Sequence, residues 1–185
     1  VCLLLISALV QTRDYPLYNQ CDPKWKDEKL GTSTNTICQV GALVSAAAIG
    51  LSGVGVNQNP STLNTWLKNN KGYVNKDDFV WASINSFGVT FEGKIPNSLV
   101  RINIDVGYLV IINVNKGAHW VLATGFNGNT IFVMDSLNLT VKSYDISAVV
   151  NGNSGVYKVV AALPLPVMIN DLEAKYLTKE EHKKE

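Results

Sequence analysis

The chain of 185 residues has only two histidines, His119 and His182, and only three cysteines, Cys2, Cys21 and Cys38, with no CxxC pair. That scarcity removes the tetrahedral zinc site, which needs nitrogen and sulfur ligands at close spacing, and we expect no metal or other cofactor. Excess charge of either sign is missing too: 16 Lys and Arg against 15 Asp and Glu leave a formal net charge of +1. Without a basic stripe or interleaved aromatics there is no electrostatic footprint for nucleic acid or for an acidic lipid surface. No GxxxxGK[ST] or GxGxxG loop stands between a strand and a helix, so a nucleotide has no phosphate cradle. The GLSGVG stretch at 50–55 carries glycines and a serine but lacks the strand-to-helix elbow of a serine hydrolase, and reads as a helix stop. No repeat and no low-complexity tract is present.

Long apolar runs are absent as well. The first of note, VCLLLISALVQT at 1–12, has about ten apolar positions where roughly 20 are needed to cross a bilayer, so no stable membrane span is expected. It matches the later part of a secretory signal h-region, and residues 1–12 are read as a signal remnant; the alternative is a buried N-terminal strand. If the segment is removed, Cys2 goes with it and Cys21 and Cys38 remain. An even pair in an oxidising compartment suggests one disulfide, worth on the order of 3 kcal/mol in the chain-entropy model. Asn138-Leu139-Thr140 fits the glycosylation acceptor pattern and leans the same way, toward a secreted or endolysosomal protein.

What remains is an ordinary globular composition, 46% hydrophobic and 17% charged, enough for one domain with a full core over residues 13–168. Residues 13–35 hold no sustained period and read as loop. ALVSAAAIGLS at 42–52 is apolar or small on nearly every face, the pattern of a helix at the centre of a core. After GVGVNQNP, a second helix, STLNTWLKNN, is expected with Ser61 as its cap and Leu63, Trp66 and Leu67 as its stripe. A third is expected over 77–87, capped by Asp77 or Asp78.

From residue 88 the period changes to two and β-branched residues dominate. GVTFEG, YLVIINVN, HWVLATGF, TIFVMDS, TVKSYD and VYKVVAAL each read as a strand, and Asn127-Gly128 and Asn151-Gly152 as turns, the first joining a hairpin. Helices first and antiparallel strands second predict an α+β domain with the first helix packed on the sheet. The tail at 169–185, ending NDLEAKYLTKEEHKKE, is densely charged and reads as a solvated helix or frayed end.

Four short motifs stand in a telling order. They are Gln20 in YPLYNQCDPKW, the helix start after Gly41 in TICQVGALVSAAA, His119 in GAHWVLATGF, and Asp135 in IFVMDS. Glutamine, helix N-terminus, histidine and acid in that order resemble the papain-like cysteine peptidases, and most of all the branch related to peptidases that cut bacteriocin leaders after a double glycine. The likeness runs from about Tyr15 to Leu163. It implies the papain-like fold, N-terminal helices on a C-terminal antiparallel sheet, and a peptide or protein substrate. It also implies His119 as catalytic base, Asp135 as the group that orients it, and Gln20 as a side-chain donor to the oxyanion. Trp120, next to His119 in HWVLATGF, is expected to cover the imidazole from solvent.

The nucleophile position of that family falls on Ala42, and a methyl group cannot attack a carbonyl. A helix start suits a thiolate because its unpaired N–H groups favour negative charge, and the Ala42 N–H would still serve the oxyanion. Cys38, four residues earlier, is an alternative nucleophile, but its pairing with Cys21 accounts for it more simply. The expectation is a papain-like peptidase domain without its nucleophile, either an engineered Cys-to-Ala form or a natural pseudoenzyme. The rival reading is a non-catalytic peptide-binding or structural lumenal module on the same fold.

Overall fold

Helix α2, Ala42–Gly53, buries Ala42 and every residue from Val44 to Leu51, leaving only Leu43 partly exposed in that run. A helix this apolar has to be enclosed, and here it lies across a sheet. Gly50 is what lets it come close: a Cβ there would stand 3.3 Å from methyl carbons of both Leu109 and Leu122. The computed structural model describes residues 13–160, so the predicted signal remnant, the end of the last predicted strand and the charged tail lie outside the described residues.

The single large sheet contains β3 (Val89–Ile95), β4 (Leu109–Val114), β5 (His119–Asn127), β6 (Thr130–Met134), β7 (Ser143–Asp145) and β8 (Ser154–Val159), in spatial order β3-β8-β4-β5-β6-β7. Every neighbouring pair is antiparallel. As predicted, the Asn127-Gly128 turn closes the β5–β6 hairpin, with Asn127 opposite Thr130. Two cores result. One joins α2 to Leu109, Ile111, Leu122 and Tyr157; the other gathers Val110, Ile112, Val121, Ala123 and Val133 under a further helix, α4, at Asn97–Asp105. The α+β prediction, with the first long helix packed on an antiparallel sheet, is therefore correct.

Local details differ from the expectations. A single turn, α1 (Ile37–Val40), precedes α2, capped by Thr36 in a reciprocal box with Gln39. Helix α3, Pro60–Asn69, is capped by Asn59 and not by Ser61: the Asn59 side chain accepts from Thr62 N at 2.9 Å, and Pro60 takes the first helical position, where no N–H is needed. Ser61 points elsewhere, to the Glu28 carboxylate.

The helix expected over 77–87 is shorter and tighter. Tyr73–Val74 (β1) and Asp78–Phe79 (β2) form a small hairpin, and only Trp81–Phe87 is helical, as a 3-10 helix. Neither aspartate caps it, because Asp77 accepts from Asn35 Nδ2 at 2.8 Å and Asp78 from Asn75 Nδ2 at 3.2 Å.

Candidate active site

His119 is the first residue of β5 and Asp135 follows the last residue of β6, so the pairing of these two strands brings both side chains to one end of the sheet. His119 Nε2 lies 2.8 Å from Asp135 Oδ1, and both residues are buried, at 5% and 1% exposure. Holding a proton on Nε2 leaves Nδ1 as the free lone pair, and Nδ1 has no hydrogen-bond partner among the described residues.

Asp135 is well supplied with donors. Its Oδ1 also accepts from the backbone N–H groups of Leu137, at 3.0 Å, and Asn138, at 2.9 Å, and its Oδ2 accepts from the Tyr144 hydroxyl at 2.9 Å. Burial works to raise its pKa, but the His119 ring, the Asn138 N–H and the Tyr144 hydroxyl outweigh it and hold the carboxyl below its ordinary value. Tyr144 moves the other way. Burial, then its hydrogen bond and proximity to the Asp135 carboxylate, push it up to about 12, partly offset by Asn115. It therefore stays a donor throughout the neutral range.

The β4–β5 turn that delivers His119 is an unusual piece of backbone. Asn115, Lys116 and Gly117 all have positive φ, at 53°, 56° and 100°, and two of them are not glycine. Asn113, fully buried in the apolar strand LVIINV, spans the turn with its side-chain amide, donating to Gly117 O at 3.3 Å and His119 O at 3.0 Å. A lone polar residue in such a run must find partners, and this one finds them in the turn before the histidine.

Gln20 is likewise buried, at 1% exposure. Its backbone N–H donates to Ser136 O at 2.7 Å, and its Oε1 accepts from Ser136 Oγ at 3.4 Å, next in the chain to Asp135. Its Nε2 donates to Ile37 O at 2.9 Å and Cys38 O at 3.0 Å. An oxygen facing those two carbonyls would be repelled, so the amide orientation is fixed. Both amide protons are thus committed to α1, and in this arrangement neither is left for an oxyanion.

The consequence appears at Ala42. Cys38 O, to which Gln20 donates, is the carbonyl four residues before Ala42, and it lies just where α1 gives way to α2 at Gly41. Cys21 and Cys38 form the disulfide expected of them, with Cα atoms 4.5 Å apart, which ties the Gln20 loop to α1. Hydrogen bonds, with the peptide link from Asp135 to Ser136 between them, thus join His119 and Asp135 to Gln20 and on to the turn that precedes Ala42.

Trp120, expected over the imidazole, packs its half-buried indole against Trp81 with ring centroids 5.3 Å apart. Asn138 is exposed and lies in the turn after Asp135. Among the described residues no group of three or more His, Cys, Asp or Glu side chains is placed to hold a metal ion, and no helix is long and apolar enough to cross a membrane. Tyr144, Ser136 and Asn113 were not found by reading the sequence. Asn113 alone left a signal there, as the one polar residue in an apolar strand.

No protein-family model matches the chain, and a comparison with curated proteins finds no relative. Among solved structures the chain is similar to a double glycine motif protease from an AMS/PCAT transporter, crystallised in complex with the leader peptide. The two are 13% identical with a TM-score of 0.53, and the match covers 81% of this chain and 96% of that one. At that identity the likeness shows the fold, which is the α+β fold of the papain-like peptidases. The activity has to be argued from the site itself.

Proposed function

We propose that this chain carries a papain-like cysteine-peptidase site lacking its nucleophile, one that holds a peptide and, as written, does not cut it. The observation that carries the reading is the buried His119 Nε2–Asp135 Oδ1 contact at 2.8 Å with Nδ1 left unpartnered among the described residues. A histidine whose tautomer is held by a buried carboxylate is what the base of a nucleophile–His–acid hydrolase requires. With a thiol at position 42, His119 Nδ1 would take its proton, the first turn of α2 would favour the thiolate, and the Ala42 N–H would face the oxyanion. A methyl group there leaves the binding and polarising parts without the attacking one. The leader peptide bound to the structural neighbour supports a peptide as the ligand. The Cys21–Cys38 bridge supports an oxidising compartment, secreted or lumenal, where Asn138 is available for glycosylation.

A second reading, a peptide-binding module that makes no use of catalytic machinery, is favoured by one observation: Gln20 commits both amide protons to α1. The two separate in one experiment. Ala42→Cys is treated with iodoacetamide, and labelling is followed by mass spectrometry. The peptidase-type site predicts labelling about tenfold or more faster than that of the denatured chain, lost on His119→Ala. Labelling no faster than in the denatured control selects the binding module.

A further inference from the structure

Trp120 follows His119 along β5, and its indole meets that of Trp81 with ring centroids 5.3 Å apart and planes at 64°. Trp81 is set into this corner by the sheet beneath it. Its six-membered ring lies on Gly155, where a Cβ would come within 1.9 Å of Trp81 Cζ3, and its carbonyl accepts from the Tyr157 hydroxyl at 2.8 Å. Both tryptophans remain partly exposed, and neither indole N–H has a partner among the described residues.

Lys94 stands over both rings. Its Nζ is 5.7 Å from the Trp81 centroid and 5.8 Å from that of Trp120, inside the range of about 6 Å at which a ring face attracts a cation. The same ammonium donates to Asn153 Oδ1 at 2.6 Å, and no carboxylate among the described residues pairs with it. Glu92, the acid nearest in sequence, is exposed at the β3 bulge and makes no ion pair with it. Asn153 in turn donates to Asn113 Oδ1 at 3.2 Å, and Asn113 holds the carbonyl of His119 at 3.0 Å. The charge is therefore oriented by neutral partners, left without a counter-ion, and connected by three hydrogen bonds to the backbone of His119.

We propose that Lys94, Trp81 and Trp120 form a subsite for a peptide carboxylate flanked by a large apolar side chain. The ammonium would take the carboxylate in a charge-assisted hydrogen bond, and the indoles would cover the apolar neighbour. Because the donor is already held in place, little ordering is lost on binding. The placement of this corner in a substrate cleft rests on the peptide-site reading of His119; its preference for an acid does not.

The test uses the chain with alanine at 42, which leaves the bound peptide intact. The indole N–H resonances, assigned with Trp81→Phe and Trp120→Phe, are followed while N-acetyl-Phe-Asp-amide or N-acetyl-Phe-Asn-amide is added. The aspartyl compound should shift both resonances and bind about tenfold more tightly than the asparaginyl one. The difference should vanish in Lys94→Gln, return in Lys94→Arg, and shrink with added salt. Equal response to both compounds, no response to either, or an aspartyl preference that survives Lys94→Gln overturns the subsite. Failure of Ala42→Cys to label quickly while the indoles still discriminate would sink the peptidase-type reading and leave the subsite standing.

Discussion

Tyr144 donates its hydroxyl to Asp135 Oδ2 at 2.9 Å, on the carboxylate oxygen that the His119 ring leaves free. The two residues come together because β7 pairs with β6, placing Tyr144 opposite Ile131 and packed in the same cluster as Ile131 and Val133. From there its long side chain reaches along β6 to Asp135, just past the strand's end. One carboxylate thus receives a ring nitrogen, two backbone N–H groups and a phenol. Each donor removes a direction in which the carboxylate, and with it the imidazole, would otherwise turn.

Replacing Tyr144 by Phe deletes one donor to a buried charge without changing the ring that fills the space. A loss of about 1.5–3 kcal/mol in urea unfolding is expected, the range for a hydrogen bond to a charged group. The more specific readout is the pH profile of iodoacetamide labelling in the Ala42→Cys background. Tyr144→Phe should displace that profile, whereas Phe at an unrelated half-buried tyrosine such as Tyr108 should leave it in place. An undisplaced profile would mean that Tyr144 only fills space.

The depressed pKa of Asp135 makes stability depend on acid. A carboxyl held lower in the folded chain than its unfolded value of about 3.9 adds stability that is fully present above that value. The contribution is lost as pH falls through the folded value. Urea midpoints measured from about pH 5 to pH 2 should therefore fall more steeply for the parent chain than for Asp135→Asn. Parallel curves would show that the donors around Asp135 do not favour its charged form.

How much of this was legible in the sequence depends on how local the cause is. Helix α2 was readable because its apolar character does not depend on where the helix lies, and the β5–β6 hairpin because Asn127-Gly128 specifies a turn by itself. Helix α4 was not, because only Val100 is fully buried while Leu99, Ile102 and Val106 remain exposed, which blurs the stripe that marks a helix. Gln20, His119 and Asp135 stood out through their order along the chain. What Gln20 does with its amide, and that Tyr144 reaches Asp135, depend on loop placement and strand register, which no single segment encodes.

The clamp that Gln20 places on α1 predicts an ordering of two substitutions. Gln20→Ala removes both donors from Ile37 O and Cys38 O and leaves a small cavity, at a cost of about 2–3 kcal/mol. Gln20→Glu keeps the volume but turns a carboxylate oxygen toward the same two carbonyls, so it should destabilise more than alanine at neutral pH. It should recover toward the parent as the carboxyl is protonated. If Gln20→Glu is the milder of the two at neutral pH, the amide is not the clamp described here.

Gly155 offers a test of how firmly the aromatic corner is built. A Cβ at that position would meet Trp81 Cζ3 at 1.9 Å and two further ring carbons at 2.5 Å, far inside van der Waals contact. The indole has to move, because the carbon it meets belongs to a strand paired on both sides, with β3 and with β4. Moving it breaks the edge contact with Trp120 and withdraws one of the two rings beneath Lys94. Gly155→Ala should therefore alter the near-ultraviolet circular dichroism of the tryptophans and cost about 1–3 kcal/mol, as overpacking does elsewhere. Restoring space with Trp81→Leu in the same chain should recover part of that loss, because the two positions share one contact. Additive losses in the double variant would place the strain somewhere other than the ring face on Gly155.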